Sequence, residues 1–495
     1  MTESMPSGRP GGRPSGMRDW TQGNVFRNLL LLSWPMVISN ILMMLGPTID
    51  MIWVGRLGSA SMAAVGAAGI AVQLLMTAMF GLIMGVRAMV ARFIGAGDFR
   101  AANHVAQQGL VLAAIAAILM AAIGIFFTKG ILGLFGLEPS VVSEGVAYLR
   151  IMFIGGAGMT FRIMTEAVMQ AAGDPITPMV TATFYRLIHI VLAPFLIFGW
   201  WVFPEMGVSG AAMTNVVSQT LAVFLGFWYL FNGRAISVGK RRRLGDPSPT
   251  SLTAESRLPW WLPRFVPGRL RLTLRDFSFD GDIIFRIFKI GTPAMVSGMQ
   301  MTATQFLLLF FIAPFGTAAV AAHTVVQRVE MILFMPGMAF GTGAGVLVGQ
   351  NLGAGRPDRA ERGVWLATGL VESIVLSLAL AVFLWPEPIV RIFNSEPAVL
   401  AVAVPFLRIA VVGYAVVGFT GVMMMSLSSA GDTLIPMLVG IFSVWAVQLP
   451  LIFILPNVGD LGVLGIRWAI ASGMVVAALV YVWYFRLGRW KRKKI

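Results

Sequence analysis

Three ionisable side chains interrupt long apolar segments of the 495-residue sequence: Asp50, His189 and Glu330. A carboxylate at membrane depth is costly when it is ionised and unpaired, and burial favours its neutral form. Such an acid is apolar-tolerant when protonated and attracts a cation when ionised. A histidine titrates near neutral pH. These residue types predict an ion-coupling site, at which proton occupancy sets local charge.

The segments around these residues predict an integral membrane protein. Residues are 57% hydrophobic and only 12% charged, and a bilayer core about 30 Å thick needs roughly 20 helical residues. We predict an all-α fold of twelve transmembrane helices, at 28–53, 60–86, 105–128, 146–170, 177–201, 207–232, 284–312, 317–347, 363–385, 400–427, 433–455 and 462–485.

Pairs of segments recur at a constant offset of 258 residues. AGDPITPM at 172–179 pairs with AGDTLIPM at 430–437, and the GAG at 95–97 pairs with the GAG at 353–355. The chain therefore reads as a duplicated six-helix unit. Since six is even, both copies enter the membrane from the same side, and a pseudo-two-fold axis along the membrane normal relates them, as in some transporters.

The duplication predicts an N-lobe at 26–232 with helices 1–6 and a C-lobe at 284–487 with helices 7–12. We expect a cytoplasmic N-terminal tail at 1–25, a cytoplasmic linker at 233–283 and a basic cytoplasmic tail at 488–495. With both termini in the cytoplasm, Lys and Arg concentrate in cytoplasmic segments, as the positive-inside rule requires, and the outside loops carry only Arg56, Lys129 and Arg391.

The net charge of +15 is thus explained by membrane topology, and we predict no nucleic-acid partner. The basic runs at 240–243 and 491–494 are expected to lie beside anionic lipid headgroups. The linker segment Pro259–Leu262 either lies on the membrane surface or is part of a disordered linker. We predict membrane lipids as partners and a monomer.

The sequence argues against an enzyme. It contains no cysteine, so thiol chemistry and disulfides are excluded. Its three histidines, His104, His189 and His323, are scattered, and it contains no HxxxH motif, no nucleophile elbow and no phosphate-binding glycine loop followed by lysine. We predict no cofactor.

Four motifs together resemble the multidrug and toxic compound extrusion (MATE) family: IDMIWVGRLG at 49–58, ARFIGAGD at 91–98, MQAAGDPITPM at 169–179 and QRVEMILFMPGMAFG at 327–341. The similarity extends over residues 26–487. It implies a V-shaped pair of six-helix lobes in a bacterial inner membrane. The implied function is secondary active export of amphipathic, cationic compounds by alternating access, in exchange for protons or sodium. The alternative is a flippase or exporter of a lipid-linked or endogenous metabolite with the same fold.

The resemblance implies that Asp50 serves ion coupling, although its place near a helix end also fits an interfacial residue. Many members carry Asn and Asp in the fifth helix in a pattern like NxxLDP, where this chain has His189 and Ala193. His189 either replaces the missing acid as a proton carrier or is a neutral core residue, and Arg186, three positions earlier, could face it. The helix-7 Glu of a sodium-dependent branch is absent, which tilts the expectation toward protons, with Na⁺ at Asp50 still open.

Two prolines in the first helix, Pro35 and Pro47, predict bending. A proline removes a backbone donor and leaves the carbonyl four residues earlier without its helical partner. The freed carbonyls lie near Leu31 and Met43. A helix of this kind could change its bend when Asp50 changes charge.

Glu330 and Arg328, two residues apart in the eighth helix, cannot share a helix face. Each needs another partner, and Glu330 has either a direct role in ion or substrate handling or a structural salt bridge. Glu372 is a weaker candidate, and Arg162 with Glu166 fits an intrahelical pair at the interface. Flexible methionines suit a site that accepts many shapes. We expect the substrate cavity to be lined by Asp50, Met43, Gln300, Met301, Gln305, Glu330 and Met424.

Overall fold

The computed structural model describes residues 17–133, 138–237, 264–273, 277–459, 461–493 and 495. In this part of the chain, 11 helices are long and apolar enough to cross a membrane. A further pair, 141–154 and 156–171, is bent by 47° at its break and makes up to 12 spans. The predicted all-α membrane fold is therefore confirmed.

The first half contains eight helices. The first of them begins after Asn24, an N-cap whose side chain accepts from the backbone N–H of Arg27. They are α1 (Val25–Val54), α2 (Ser59–Ala96), α3 (Phe99–Phe126), α4 (Thr128–Gly133), α5 (Pro139–Ile154), α6 (Gly156–Ala171), α7 (Ile176–Phe198) and α8 (Gly207–Asn232).

Strands β1 (Arg234–Ser237) and β2 (Arg264–Pro267) form an antiparallel pair after α8. The second half follows with α9 (Gly281–Ile312), α10 (Thr317–Gly353), α11 (Pro357–Leu384), α12 (Pro386–Phe393), α13 (Pro397–Ser429), α14 (Leu434–Ile441), a π-helix (Phe442–Gln448), α15 (Leu449–Ile454) and α16 (Val463–Arg486). The bounds of α3 recur in α11, and those of α5 and α6 recur in α13, at the 258-residue offset found in the sequence.

Several predicted helix ends are wrong by six to ten residues. Helix α2 ends at Ala96 rather than 86, α3 begins at Phe99 rather than 105, and α11 begins at Pro357 rather than 363. The helix predicted at 146–170 is the bent pair α5 and α6. The predicted helices end at charged residues, whereas a real helix continues past the hydrocarbon until a turn ends it. For α2 that turn is at Gly97, with φ 80°.

The halves meet at the end of the bundle that carries both termini. Leu29, Leu32 and Met36 of α1 belong to the hydrophobic core of the second half. The second part of α2 approaches the second half so closely that a Cβ on Gly95 would stand 2.0 Å from the backbone oxygen of Gln350. In contrast, residues such as Met43 and Ile52 farther along α1 are exposed.

The N-terminal segment and the C-terminal tail pack on this closed end. The indole nitrogen of Trp20 donates to the carbonyl of Gly173 at 2.8 Å. Lys491 pairs with Glu361 at 2.6 Å, and Lys493 pairs with Asp432 at 3.1 Å. Both lysines are thus paired with protein carboxylates, and their place beside lipid headgroups stays a prediction. Residues 240–243, 259–262 and 494 lie outside the described residues.

The two AGD turns have the same sequence, but their aspartates have different partners. Asp174 accepts from the backbone N–H groups of Ile176 and Thr177 and so caps α7. Its counterpart Asp432 binds Lys493 and the hydroxyl of Tyr484. Burial raises the pKa of Asp174 to about 6.

We predict that Gly95→Ala destabilises the closed interface by about 1–3 kcal/mol, since the added Cβ meets backbone that cannot rotate away. The control is Gly69→Ala in the same helix, where a Cβ would meet nothing within 4 Å. Thermal unfolding in detergent compares the two. Equal melting temperatures for both variants would contradict the prediction.

We predict that Asp174→Asn stabilises the protein increasingly as pH rises from about 4 to above 6. A free Asp has a pKa of about 3.9, so the native state binds this proton more tightly than the unfolded chain. The associated stability is present below about pH 4 and is lost as pH rises through about 6. Asparagine keeps the capping oxygen and cannot ionise. Thermal unfolding should give a gain of up to roughly 3 kcal/mol near pH 8 and none near pH 4. A gain independent of pH would refute this explanation.

Candidate functional site

Asp50 lies four residues before the end of α1, yet its side chain is buried between α1, α7 and α8. Its Oδ1 is 3.0 Å from Nε2 of His189, an ion-pair distance outside hydrogen-bond geometry. Its Oδ2 accepts from Nδ2 of Asn215 at 2.8 Å. The first and fifth helices therefore do bring Asp50 and His189 together, and nitrogen atoms face both carboxylate oxygens.

His189 is fully buried, and its second ring nitrogen points at Arg186. The distance from the Arg186 Nη1 to Nδ1 is 3.2 Å. A guanidinium can only donate, so this contact assigns Nδ1 as the acceptor and leaves the proton of a neutral ring on Nε2, facing Asp50. The tautomer follows from this partner.

Arg186 also contacts the backbone of α1. Its Nε donates to the carbonyl of Leu42 at 2.8 Å, and its Nη2 donates to the carbonyl of Met43 at 3.4 Å. Met43 is one of the carbonyls that the sequence predicted to be freed by proline. Gly46 makes room for the guanidinium, since a Cβ there would stand 2.3 Å from Nη1.

A second buried charge pair lies behind this group. Arg162 binds Glu166 at 2.7 Å and Gln219 at 3.2 Å. The Tyr185 ring lies between the two arginines, 4.6 Å from the Arg162 guanidinium and 5.0 Å from that of Arg186. The intrahelical pair is confirmed, but it is part of a buried polar network rather than an interfacial contact.

Glu330 belongs to a different cluster. Its Oε1 is 2.5 Å from the Nη2 of Arg467 on α16, so its partner is another helix of the same half rather than a residue across the cavity. His323, two turns before Glu330 on the same face of α10, is buried and interacts electrostatically with Arg467. No described ion pair joins Glu330 to Asp50. Glu372 accepts from the backbone N–H of Phe419 at 2.9 Å.

The predicted cavity residues differ in exposure. Met43, Met301 and Gln305 are exposed, whereas Met424 is half-buried. Gln300 is half-buried too, and its Nε2 donates to the carbonyl of Gly440 at 2.7 Å. The neighbours of Met424 at 423 and 425 are buried in the core and do not line a cavity.

Asn215 is the site residue that the sequence analysis missed. It does not stand out in the sequence, because five of the ten residues in its segment AAMTNVVSQT of α8 are polar. The resemblance to the MATE family pointed to the fifth helix, not to α8, for a partner of Asp50. Among the residues that the structure describes, no group of three or more His, Cys, Asp or Glu side chains is arranged to hold a metal ion.

Comparisons with known proteins agree with this architecture. The family model MatE matches residues 35–195 and again residues 293–454. The probable multidrug resistance protein YoeA of Bacillus subtilis is 26% identical over 95% of this chain and 96% of its own length. The probable multidrug resistance protein NorM of Thermotoga maritima is 23% identical over 95% and 94%.

Solved structures share the fold. A MATE protein in a bent conformation matches with a TM-score of 0.82 and 22% identity, over 95% of this chain and 97% of that one. The Vibrio cholerae MATE transporter VcmN in its bent form matches with a TM-score of 0.80 and 19% identity, over 94% and 98%.

Two matches to one family model, in two six-helix halves that repeat at one offset, leave a single assignment: the chain belongs to the MatE family of multidrug efflux transporters and is not an enzyme.

Proposed function

We propose that the protein is a proton-coupled antiporter that exports amphipathic, cationic compounds through alternating access of its two lobes. The neighbours of Asp50 are the observation that supports a proton as the coupling ion. Both carboxylate oxygens face nitrogen atoms of His189 and Asn215. A hard cation such as Na⁺ is held by several oxygen ligands, and N–H donors repel it. A proton needs only the carboxylate itself.

Charge balance supplies the coupling. Asp50 faces the buried guanidinium of Arg186 through the ring of His189. With the carboxylate ionised and the imidazole neutral, these three residues have no net charge. Adding a proton gives them one positive charge, which disfavours a cationic substrate in the same cavity. Proton and substrate therefore exclude each other, as antiport requires.

The surroundings support an apolar, adaptable substrate path. Beyond the closed end, α1 and α9 expose methionine and phenylalanine side chains, including Met43, Met301 and Phe306. Methionine surfaces adapt to ligands of different shape. The names of the relatives point to multidrug resistance. We place the protein as a monomer in a bacterial inner membrane with both termini cytoplasmic, because Lys and Arg concentrate on that side.

We predict that Asp50→Asn abolishes transport driven by a pH gradient. Proteoliposomes containing the purified protein and a cationic fluorescent drug are given a pH gradient or a sodium gradient separately. We expect the parent to respond to the pH gradient alone. The control is Glu387→Gln, which changes an exposed carboxylate in the short helix α12. Transport driven by sodium, or an unchanged response of the Asn variant, would refute proton coupling at Asp50.

We predict that Asn215→Ala lowers proton-driven transport about tenfold without unfolding the protein. A hydrogen bond to a charged group contributes about 1.5–3 kcal/mol, and its loss leaves Oδ2 of Asp50 without its donor. Thr214→Ala is the matched control, since that hydroxyl bonds only within its own helix, to Gly210. Initial transport rates and melting temperatures are measured for both variants. Equal rates for the two would show that Asn215 has no role in the site.

A further inference from the structure

Arg186 connects two features that the proposed function treats separately, the ionisable pair and the backbone of α1. Its Nη1 contacts Nδ1 of His189, and its Nε and Nη2 donate to the carbonyls of Leu42 and Met43. We propose that Arg186 is a positioning residue that transmits the charge state of Asp50 to α1 at Pro47. This inference rests on the proposed proton coupling.

Three positions within one turn of α1, Met43, Gly46 and Pro47, suit this contact. Pro47 has no N–H, so the carbonyl of Met43 lacks its helical donor. The guanidinium of Arg186 supplies a donor there. Gly46 leaves space that any larger residue would fill, because a Cβ would stand 2.3 Å from Nη1, 2.6 Å from Nη2 and 2.7 Å from Cζ. The proline thus provides a free acceptor, and the glycine provides space, for the side chain of Arg186.

The guanidinium stays charged at every physiological pH, and it is almost fully buried. A buried cation is stable only when it is paired. Arg162 has Glu166 as its partner, so Asp50, reached through the His189 ring, is the counter-charge for Arg186. When Asp50 takes a proton, Arg186 loses that counter-charge. The contacts of Arg186 with the imidazole and with the α1 carbonyls then change together.

Polar groups from four helices surround the pair, and those from three of the helices are titratable. Arg186 and Tyr185 lie on α7, and α5 contributes Tyr148, which interacts electrostatically with Asp50. The Arg162–Glu166 pair on α6 lies behind Tyr185. Helix α8 contributes the neutral Asn215 and Gln219. In the described part of the chain, no ion pair joins Asp50 or His189 to a residue of α2, α10 or α11, which also pack on α1.

The second half contains a neutral tie between the corresponding two helices, with its donor on the first of them instead of the second. Leu42 corresponds at the 258-residue offset to Gln300, whose Nε2 donates to the carbonyl of Gly440 in α14, the counterpart of α7. First and fifth helices are therefore joined at the same level in both lobes. In one lobe the donor is a charged arginine beside an acid, and in the other it is an amide. Only the first can respond to a proton.

The experiment uses the absence of cysteine from the natural sequence. Ile52→Cys on α1 and Ile118→Cys on α3 are both exposed positions for a pair of spin labels. Pulsed electron paramagnetic resonance on the reconstituted transporter measures their separation at about pH 5 and about pH 8. The same backgrounds are assayed for transport against pH. We expect the separation to change with pH in the parent.

Three variants separate the explanations. Arg186→Gln should remove the pH-dependent change in separation and lower proton-driven transport at least tenfold. Gly46→Ala should do the same while retaining every titratable group, so it decides the question if Arg186→Gln fails to fold. Gln300→Leu, the counterpart in the other lobe, should retain the pH-dependent change.

Failure of this inference is distinct from failure of the proposed function. If the parent shows no proton-driven transport, proton coupling itself is wrong. If the parent transports with protons and Gly46→Ala keeps both its pH-dependent separation and its pH profile, Arg186 is only a structural residue. Loss of the pH response in Gln300→Leu to the same extent would also overturn the inference, because a neutral tie would then matter equally.

Discussion

The structure of the first half depends on keeping one carboxylate stable inside a membrane protein. Asp50 is buried although it lies close to the end of α1, and a buried carboxylate needs donors. Asn215 on α8 donates to its Oδ2, and His189 on α7 lies at ion-pair distance from its Oδ1. Arg186 supplies positive charge one layer farther out. The relative positions of three helices therefore follow from the requirements of one side chain.

The duplication separates residues that build the scaffold from residues that do chemistry. Asp174 and Asp432 occupy corresponding turns, and both are buried polar anchors of the scaffold. At the same offset Asp50 corresponds to Leu308, a residue of a hydrophobic cluster. The charged network around Asp50 is thus absent from the equivalent place in the second half, whose own cluster at Glu330 uses different helix positions. A shared scaffold with unshared charges gives the lobes unequal roles.

The sequence was sufficient for the architecture because each span is visible as a run of apolar residues and the repeat is visible as a fixed offset. Asp50 and His189 were found for a similar reason, as polar residues in apolar runs. The partners were not found. Arg467 beside Glu330 and Asn215 beside Asp50 depend on which helix faces meet, and no periodicity along one helix contains that information. Helix ends were misplaced because charge marks the edge of the hydrocarbon, whereas a turn marks the end of a helix.

The closed end of the bundle gives the static structure a direction. Backbone approaches at Gly95 and Gly353, together with the Trp20 segment, join the halves on the side of both termini. The second half of α1, including the exposed Met43, extends away from this contact. If the termini are cytoplasmic, as the distribution of Lys and Arg requires, the conformation is closed to the cytoplasm. Asp50 then lies toward the outer side, which is the side from which the proposed antiport would supply its proton.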